Sequence, residues 1–166
     1  MSDTNKFFKR LADGVVIGDG AMGSMLYERG AFLNTCFDEL NLTRPQMVRE
    51  IHEEYVKAGV DFIETNTFGA SEMKLGKFGL AEKVVEINQA AVALARAAAK
   101  DRAMVAGAIG PLGVQLPPYG NFDSGLAGEA LGRQAAALAE AGVDFFVLET
   151  FTNIDELILA INAVHG

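Results

Sequence analysis

The chain has 166 residues, half of them hydrophobic, enough for one ordinary domain with a buried core and too apolar for a disordered tract. Its 14 Lys and Arg against 22 Asp and Glu give a formal charge of -8, and without a local basic patch this balance excludes nucleic acid and anionic membrane surfaces as partners. The single cysteine, Cys36, has no mate for an internal disulfide and no adjacent Cys or His for a metal site, which fits a reducing, cytoplasmic setting. No apolar run reaches the roughly 18 to 20 residues of a membrane helix, and Met1 to Arg10 lacks the apolar core of a secretory signal.

In chain order, the first apolar run is Val15 to Gly18, short enough for a buried parallel strand. Thr43-Arg44-Pro45-Gln46 reads as a helix start, with Thr43 as N-cap, Gln46 at the capping-box position and Pro45 in the first turn, where its missing N–H costs nothing. Gly59 ends that helix, and Val60 to Ile63 is the second strand. Glu82 to Lys100 carries Ala, Val and Leu at helical spacing, then Ala103 to Ile109 forms the third strand. Gly125 to Ala141 is a second alanine-rich helix before Gly142, and Val143 to Leu148 is the fourth strand. The tail from Asn153 to Val164 opens on a capping Asn and sets Ile154, Leu157, Ile158 and Ile161 on one face.

Strand and helix thus alternate, which implies parallel strands, right-handed crossovers and an α/β sheet or barrel. Ala58-Gly59-Val60-Asp61-Phe62 recurs two strand-helix units later as Ala141-Gly142-Val143-Asp144-Phe145, and both copies run on into Glu-Thr, at Glu64-Thr65 and Glu149-Thr150. Such an echo suits a (β/α)8 barrel, whose alternate strands present equivalent layers to the interior. A complete barrel takes about 250 residues. Residues 1–166 are therefore expected to form one partial domain, the first four strand-helix units of a TIM barrel: a fragment, or a half-barrel completed by association.

The end of the first strand carries Gly18-Asp19-Gly20-Ala21-Met22-Gly23, a literal G-x-G-x-x-G. A dinucleotide-binding reading meets two objections: Asp19 would face the pyrophosphate, and Glu64 lies about twice as far along as the roughly 20 residues the fingerprint requires. Alternatively, the loop N–H groups hold a smaller anion such as an amino-acid carboxylate while Asp19 receives the ammonium. A plain tight turn with Asp19 as a cap is the third reading. Glu64 and Asn66 end the second strand and Glu149 the fourth, so three carboxylates stand at the end of the sheet where α/β proteins bind ligands. Clustered there, they call for a cation: a substrate ammonium, an internal Lys or Arg, or a hard metal such as magnesium.

Asp19-Gly20-Ala21-Met22-Gly23-Ser24, Cys36-Phe37-Asp38-Glu39-Leu40-Asn41, Glu64-Thr65-Asn66-Thr67-Phe68, Gly107 to Gly113 and Glu149-Thr150, in collinear order over nearly the whole chain, resemble the homocysteine-binding domain of the homocysteine S-methyltransferases. The resemblance implies a (β/α)8 barrel in which zinc, held by three cysteine thiolates, activates the homocysteine sulfur for attack on a methyl donor, with cobalamin or folate among the donor systems. It implies that Asp19 and Glu149 hold the amino group of homocysteine, that backbone amides of Ala21 to Ser24 hold its carboxylate, and that Glu64 and Asn66 belong to the same pocket.

The family's zinc cysteines lie after later strands, so residues 1–166 are expected to hold no metal ligand and no catalytic residue. Cys36 matches none of those cysteines and is expected to be an ordinary, partly buried thiol. His52 and His165 are expected to be structural or solvated. The loop from Gly110 to Ser124, with Pro117, Pro118 and Tyr119, is either a cover over the barrel mouth that contacts the methyl donor or a mobile connector. Two further functions stay open: an inactive binding or assembly module that dimerises through its open barrel edges, and a nicotinamide-dependent oxidoreductase.

Overall fold

The computed structural model describes residues 4–32 and 34–165. The short apolar runs become a parallel sheet of β1 (Phe62–Glu64), β2 (Met104–Ile109) and β3 (Phe145–Leu148) in that spatial order. Ile63 pairs with Val105, and Ala106 with Phe145. Helices precede, separate and follow the strands: α1 (Thr4–Ala12), α2 (Met22–Glu28), α3 (Leu40–Thr43) and α4 (Pro45–Ala58) before β1, α5 (Glu72–Gly76) and α6 (Val84–Ala99) between β1 and β2, α7 (Ser124–Ala141) between β2 and β3, and α8 (Ile154–His165) last. The fold is α/β with parallel neighbouring strands joined through helices, as the alternation implied. Among the described residues no helix is long and apolar enough to cross a membrane.

One expected strand does not form a ladder. Val15 to Gly18 runs beside β1, yet its bonds there all involve Ile17: its carbonyl accepts the Asp61 N–H at 2.7 Å and the Phe62 N–H at 3.4 Å, and its N–H donates to Asp61 Oδ2 at 2.8 Å. A carboxylate thus takes the donor that a neighbouring carbonyl would accept in a sheet. Val15 and Ile17 are also 78% and 55% exposed, so the burial that stabilises an apolar strand is missing on this edge.

The internal echo now has a physical meaning. Asp144, the counterpart of Asp61, donates its N–H to the Val105 carbonyl at 2.8 Å, while its Oδ2 accepts the Val105 N–H at 2.6 Å. Each aspartate also holds an arginine, Arg10 for Asp61 at 2.7 Å and Arg96 for Asp144 at 2.8 Å. The preceding glycines, Gly59 and Gly142, end α4 and α7 in the left-handed conformation, which lets the chain turn straight into the strand. Ala-Gly-Val-Asp-Phe is therefore a helix-stop and strand-clamp unit used twice.

Two local expectations are corrected. Thr43 does not cap α4: its hydroxyl donates to the Glu39 carbonyl within α3, Arg44 takes the cap position, and Gln46 bonds Glu50 instead of closing a capping box. Pro45 does occupy the first turn. In α8, Asn153 caps as expected, accepting the Asp155 N–H at 2.8 Å, but the anticipated apolar face points outward. Ile154, Ile158 and Ile161 are exposed, while Leu159, Ala160, Ala163 and Val164 pack on the core. This helix is apolar on most sides, so periodicity alone could not choose its inner face.

The core lies between the sheet and α4, α6 and α7. Leu131 and Leu138 of α7 pack with Ile109 of β2 and with Leu112 and Leu116 of the following loop, each buried leucine contributing about 1.5–3 kcal/mol. The Gly110 to Ser124 loop is thus pinned by its own leucines. His52 is fully buried on α4 with neither ring nitrogen bonded, and burial holds its pKa down to about 4, so it packs as a neutral ring. His165 is exposed. At the N-terminal end of the strands, Phe7 of α1 meets Phe145 at 4.7 Å and Phe62 at 6.4 Å. That aromatic plug leaves the opposite, C-terminal end of the sheet for ligands.

Candidate functional site

At that end the structure brings together three of the residues singled out in the sequence. Asp19 follows the strand-like segment, Glu64 ends β1, and Glu149 directly follows β3. Both carboxylate oxygens of Asp19 accept the Glu64 N–H, at 3.1 Å each. All three side chains line a cavity of about 720 Å3, with Gly20 to Gly23, Thr35 to Asp38, Thr65 to Gly69, Lys74, Lys77, Phe78 and Thr150 around them.

Burial pushes the Asp19 carboxyl up to about 7; the Glu64 N–H opposes the rise, and repulsion from Glu64 and Glu149 adds to it. Glu64 is also raised to about 7, by burial and then by Glu149, while Glu149 is raised by burial with Lys74 opposing. Carboxyls placed this way bind protons or a cation more readily in the folded than in the unfolded chain. The linkage sign follows: raised carboxyl pKa values stabilise the fold most below about 4, the unfolded range, and that contribution is lost as pH rises through about 7. Urea melts of the ligand-free chain are expected to show this loss, and to show less of it in Glu64→Gln. A stability profile in which Glu64→Gln changes nothing between pH 4 and 7 would contradict the raised values.

The glycine loop serves packing. A Cβ on Gly18 would sit 2.5 Å from the Phe62 ring, and one on Gly20 would sit 2.9 Å from the Tyr55 hydroxyl. No side chain caps α2 at Ala21, so the first-turn amides of Met22, Gly23 and Ser24 keep their donors for another acceptor. The Ser24 side chain is exposed and does not line the cavity. Asn66 does line it, but its amide donates to the Phe37 carbonyl at 2.8 Å and to Asn41 Oδ1 at 3.2 Å, and Asn41 donates back to the Asn66 carbonyl at 2.8 Å. Asn66 therefore clasps the Cys36 to Asn41 segment against the strand end. The Gly110 to Ser124 loop contributes no lining residue.

Residues 16–166 match the homocysteine S-methyltransferase family. The chain belongs to that family. Among its relatives, the methionine synthases of Mycobacterium leprae (strain TN) and Mycobacterium tuberculosis (strain ATCC 25618 / H37Rv) are each 32% identical over 163 residues. The alignments take in 91% of this chain but only 13% and 14% of those proteins. Among solved structures, the metallated form of the Escherichia coli homocysteine methyltransferase MmuM superposes with a TM-score of 0.80 at 25% identity, covering 94% of this chain and 61% of that one. Its oxidized form gives 0.79 at 24% identity, over 91% and 58%.

In this chain, the described residues include no group of three His, Cys, Asp or Glu side chains close enough to share a metal ion. Cys36 is buried, its thiol pKa raised chiefly by that burial, and its sulfur lies 4.0 Å from Asp38 Oδ2. A lone thiol outside any such group lacks the three or four ligands of a zinc site, so no metal-dependent step is assigned to these residues.

Sequence reasoning gave no role to Asp38, Lys74 or Lys77. Asp38 accepts the Gly69 N–H at 2.9 Å, and burial raises its carboxyl to about 6 against the pull of that amide and of Lys74. Lys74 sits with its ammonium 4.0 Å above the Phe68 ring. A lysine on a short amphipathic stretch looks like solvated surface, so no sequence signal separates it from the others.

Proposed function

We propose that this chain forms the homocysteine-binding pocket of an enzyme that transfers a methyl group to the homocysteine sulfur, yielding methionine. The carrying observation is the pairing of charges in one cavity: three carboxyls beside helix-start amides that have no cap. In this reading Asp19 and Glu149 hold the substrate ammonium, and the amides of Ala21 to Ser24 hold its carboxylate. Glu64 closes the acidic side, and Asn66 supports the pocket through Phe37 and Asn41. These residues orient the amino acid and exclude water from its charged end. A methyl donor of the cobalamin or folate kind is the proposed co-reactant.

Calorimetric titration with L-homocysteine tests the pocket. Saturable binding is expected, with 4-mercaptobutyrate, which lacks the amino group, binding far more weakly. Equal affinity for the two would remove the carboxyl cluster from substrate recognition.

The same reading takes residues 1–166 as the first four strand-helix units of a (β/α)8 barrel. It is supported by the parallel sheet, by the strand-like Val15 to Gly18 beside β1, and by the 61% share of MmuM that the chain covers. A second reading, as an assembly module, draws on Val15, Ile17, Ile154, Ile158 and Ile161, all exposed. Such faces gain about 25 cal/mol per Å2 on burial. Sedimentation over a dilution series is expected to show a dimer that dissociates only when dilute, and to show a monomer throughout for Ile158→Lys. Monomeric wild-type protein at high concentration would dismiss self-association.

A further inference from the structure

The cavity has a second electrical pole that the proposed pocket does not use. Lys74 and Lys77, three residues apart, turn to the same side. Lys77 Nζ lies 3.3 Å, and Lys74 Cε 3.8 Å, from the point where a Cβ on Gly113 would stand. Gly113 has a φ of +73°, and its missing side chain leaves room for both lysines. Like charges at this spacing repel, and among the described residues neither ammonium has a carboxylate oxygen within 4.0 Å. Lys74 is half-buried, resting on Phe68. Desolvation lowers its pKa; Asp38, Glu156 and Glu149 pull it back up from a distance, and Lys77 pushes it further down.

Exposed Lys77 and half-buried Lys74 thus place two cations on the same side of Gly113, a repulsion that an anion brought from outside would relieve. That anion is not the carboxylate of an amino acid anchored at Asp19. The free amides of α2 follow Asp19 directly, no lysine is among the charges acting on Asp19, and of the three carboxyls Lys74 reaches only Glu149, through its field and without an ion pair. A cavity of about 720 Å3 also falls in the range of roughly 300–1,000 Å3 that accommodates drug-sized ligands, well beyond a small amino acid.

We infer that Lys74 and Lys77, backed by Phe68 and with Gly113 leaving them room, form a separate subsite for an anionic group, carboxylate or phosphate, carried by the second reactant. The inference rests on the methyl-transfer reading for the identity of that reactant as the methyl donor. The lysine wall then selects donors that bear a negative group and holds that group away from the acidic floor, so the donor's methyl end can approach the amino acid.

The test titrates the full chain with glutarate, with inorganic pyrophosphate and, separately, with L-homocysteine. Binding of one anion alongside homocysteine is expected. Lys74→Gln/Lys77→Gln should weaken that anion about tenfold or more while leaving homocysteine within about twofold, and the double Arg variant should retain both. Preference for glutarate identifies a carboxylate-bearing donor, and preference for pyrophosphate a phosphate-bearing one. The subsite is overturned if neither anion binds, if the Gln variant binds as well as wild type, or if homocysteine displaces the anion. Loss of homocysteine binding alone would count against the proposed function and leave the subsite in place.

Discussion

Asp19→Asn and Glu149→Gln are each expected to weaken L-homocysteine binding about ten- to a hundredfold, the cost of one charge-assisted hydrogen bond in a partly buried pocket, roughly 1.5–3 kcal/mol. Both changes are nearly isosteric. Asn at position 19 keeps an acceptor for the Glu64 N–H, so the fold should survive and circular dichroism should not change. Glu39→Gln serves as the control, because Glu39 stands at the start of α3 and outside the cavity lining; its effect should be mild. The pH dependence supplies a second signature. With Asp19 and Glu64 protonating at about 7, the ammonium competes with protons at acid pH, so affinity should rise as pH passes through about 7. In Asp19→Asn that rise should flatten. Unchanged affinity in both variants would show that the carboxyls serve the fold and not the substrate.

Asp144→Ala is expected to be the most destabilising single change outside the apolar core, by about 2–4 kcal/mol. It removes the acceptor of the buried Val105 N–H and the partner of Arg96. Arg96 also donates to the Gly142 carbonyl and is 36% exposed, so water relieves part of its loss, and the figure stays below that of a fully buried pair. Asp144→Asn, which keeps an acceptor for Val105, should cost clearly less. Burial raises the Asp144 carboxyl, but Arg96 and the Val105 amide outweigh it and hold the pKa below the usual carboxylate range. Its contribution is therefore full above about 4, the unfolded value, and fades as pH falls through the lower folded value. Urea melts at neutral and acid pH measure this: the gap between wild type and Asp144→Ala should narrow in acid. A gap that is the same at both would mean that side-chain packing, not the charge, carries the effect.

What the sequence determined by itself was mostly what is encoded within a few residues. Apolar runs of strand length alternating with helices specified a parallel α/β sheet; Gly59 and Gly142 marked helix ends because left-handed backbone favours glycine; Asn153 announced the cap of α8. Glu64 and Glu149 were legible as cavity residues because a polar residue closing an apolar strand points to the ligand-binding end.

Tertiary structure decided whatever depended on the opposing surface. Val15 to Gly18 has strand composition, yet its edge lacks burial and Asp61 takes its donor. The tail helix offers two apolar stripes, and the buried carboxylate of Glu156, accepting the Leu112 N–H at 2.7 Å, goes inward with the stripe the sequence did not favour. Thr43 is a local exception, since the carbonyl of Glu39 one turn back takes the hydroxyl expected to cap the next helix. Asp38 and Lys74 acquire their character only in the cavity, because desolvation and field depend on which distant segments fold around a charge, and spacing along a chain carries no record of that.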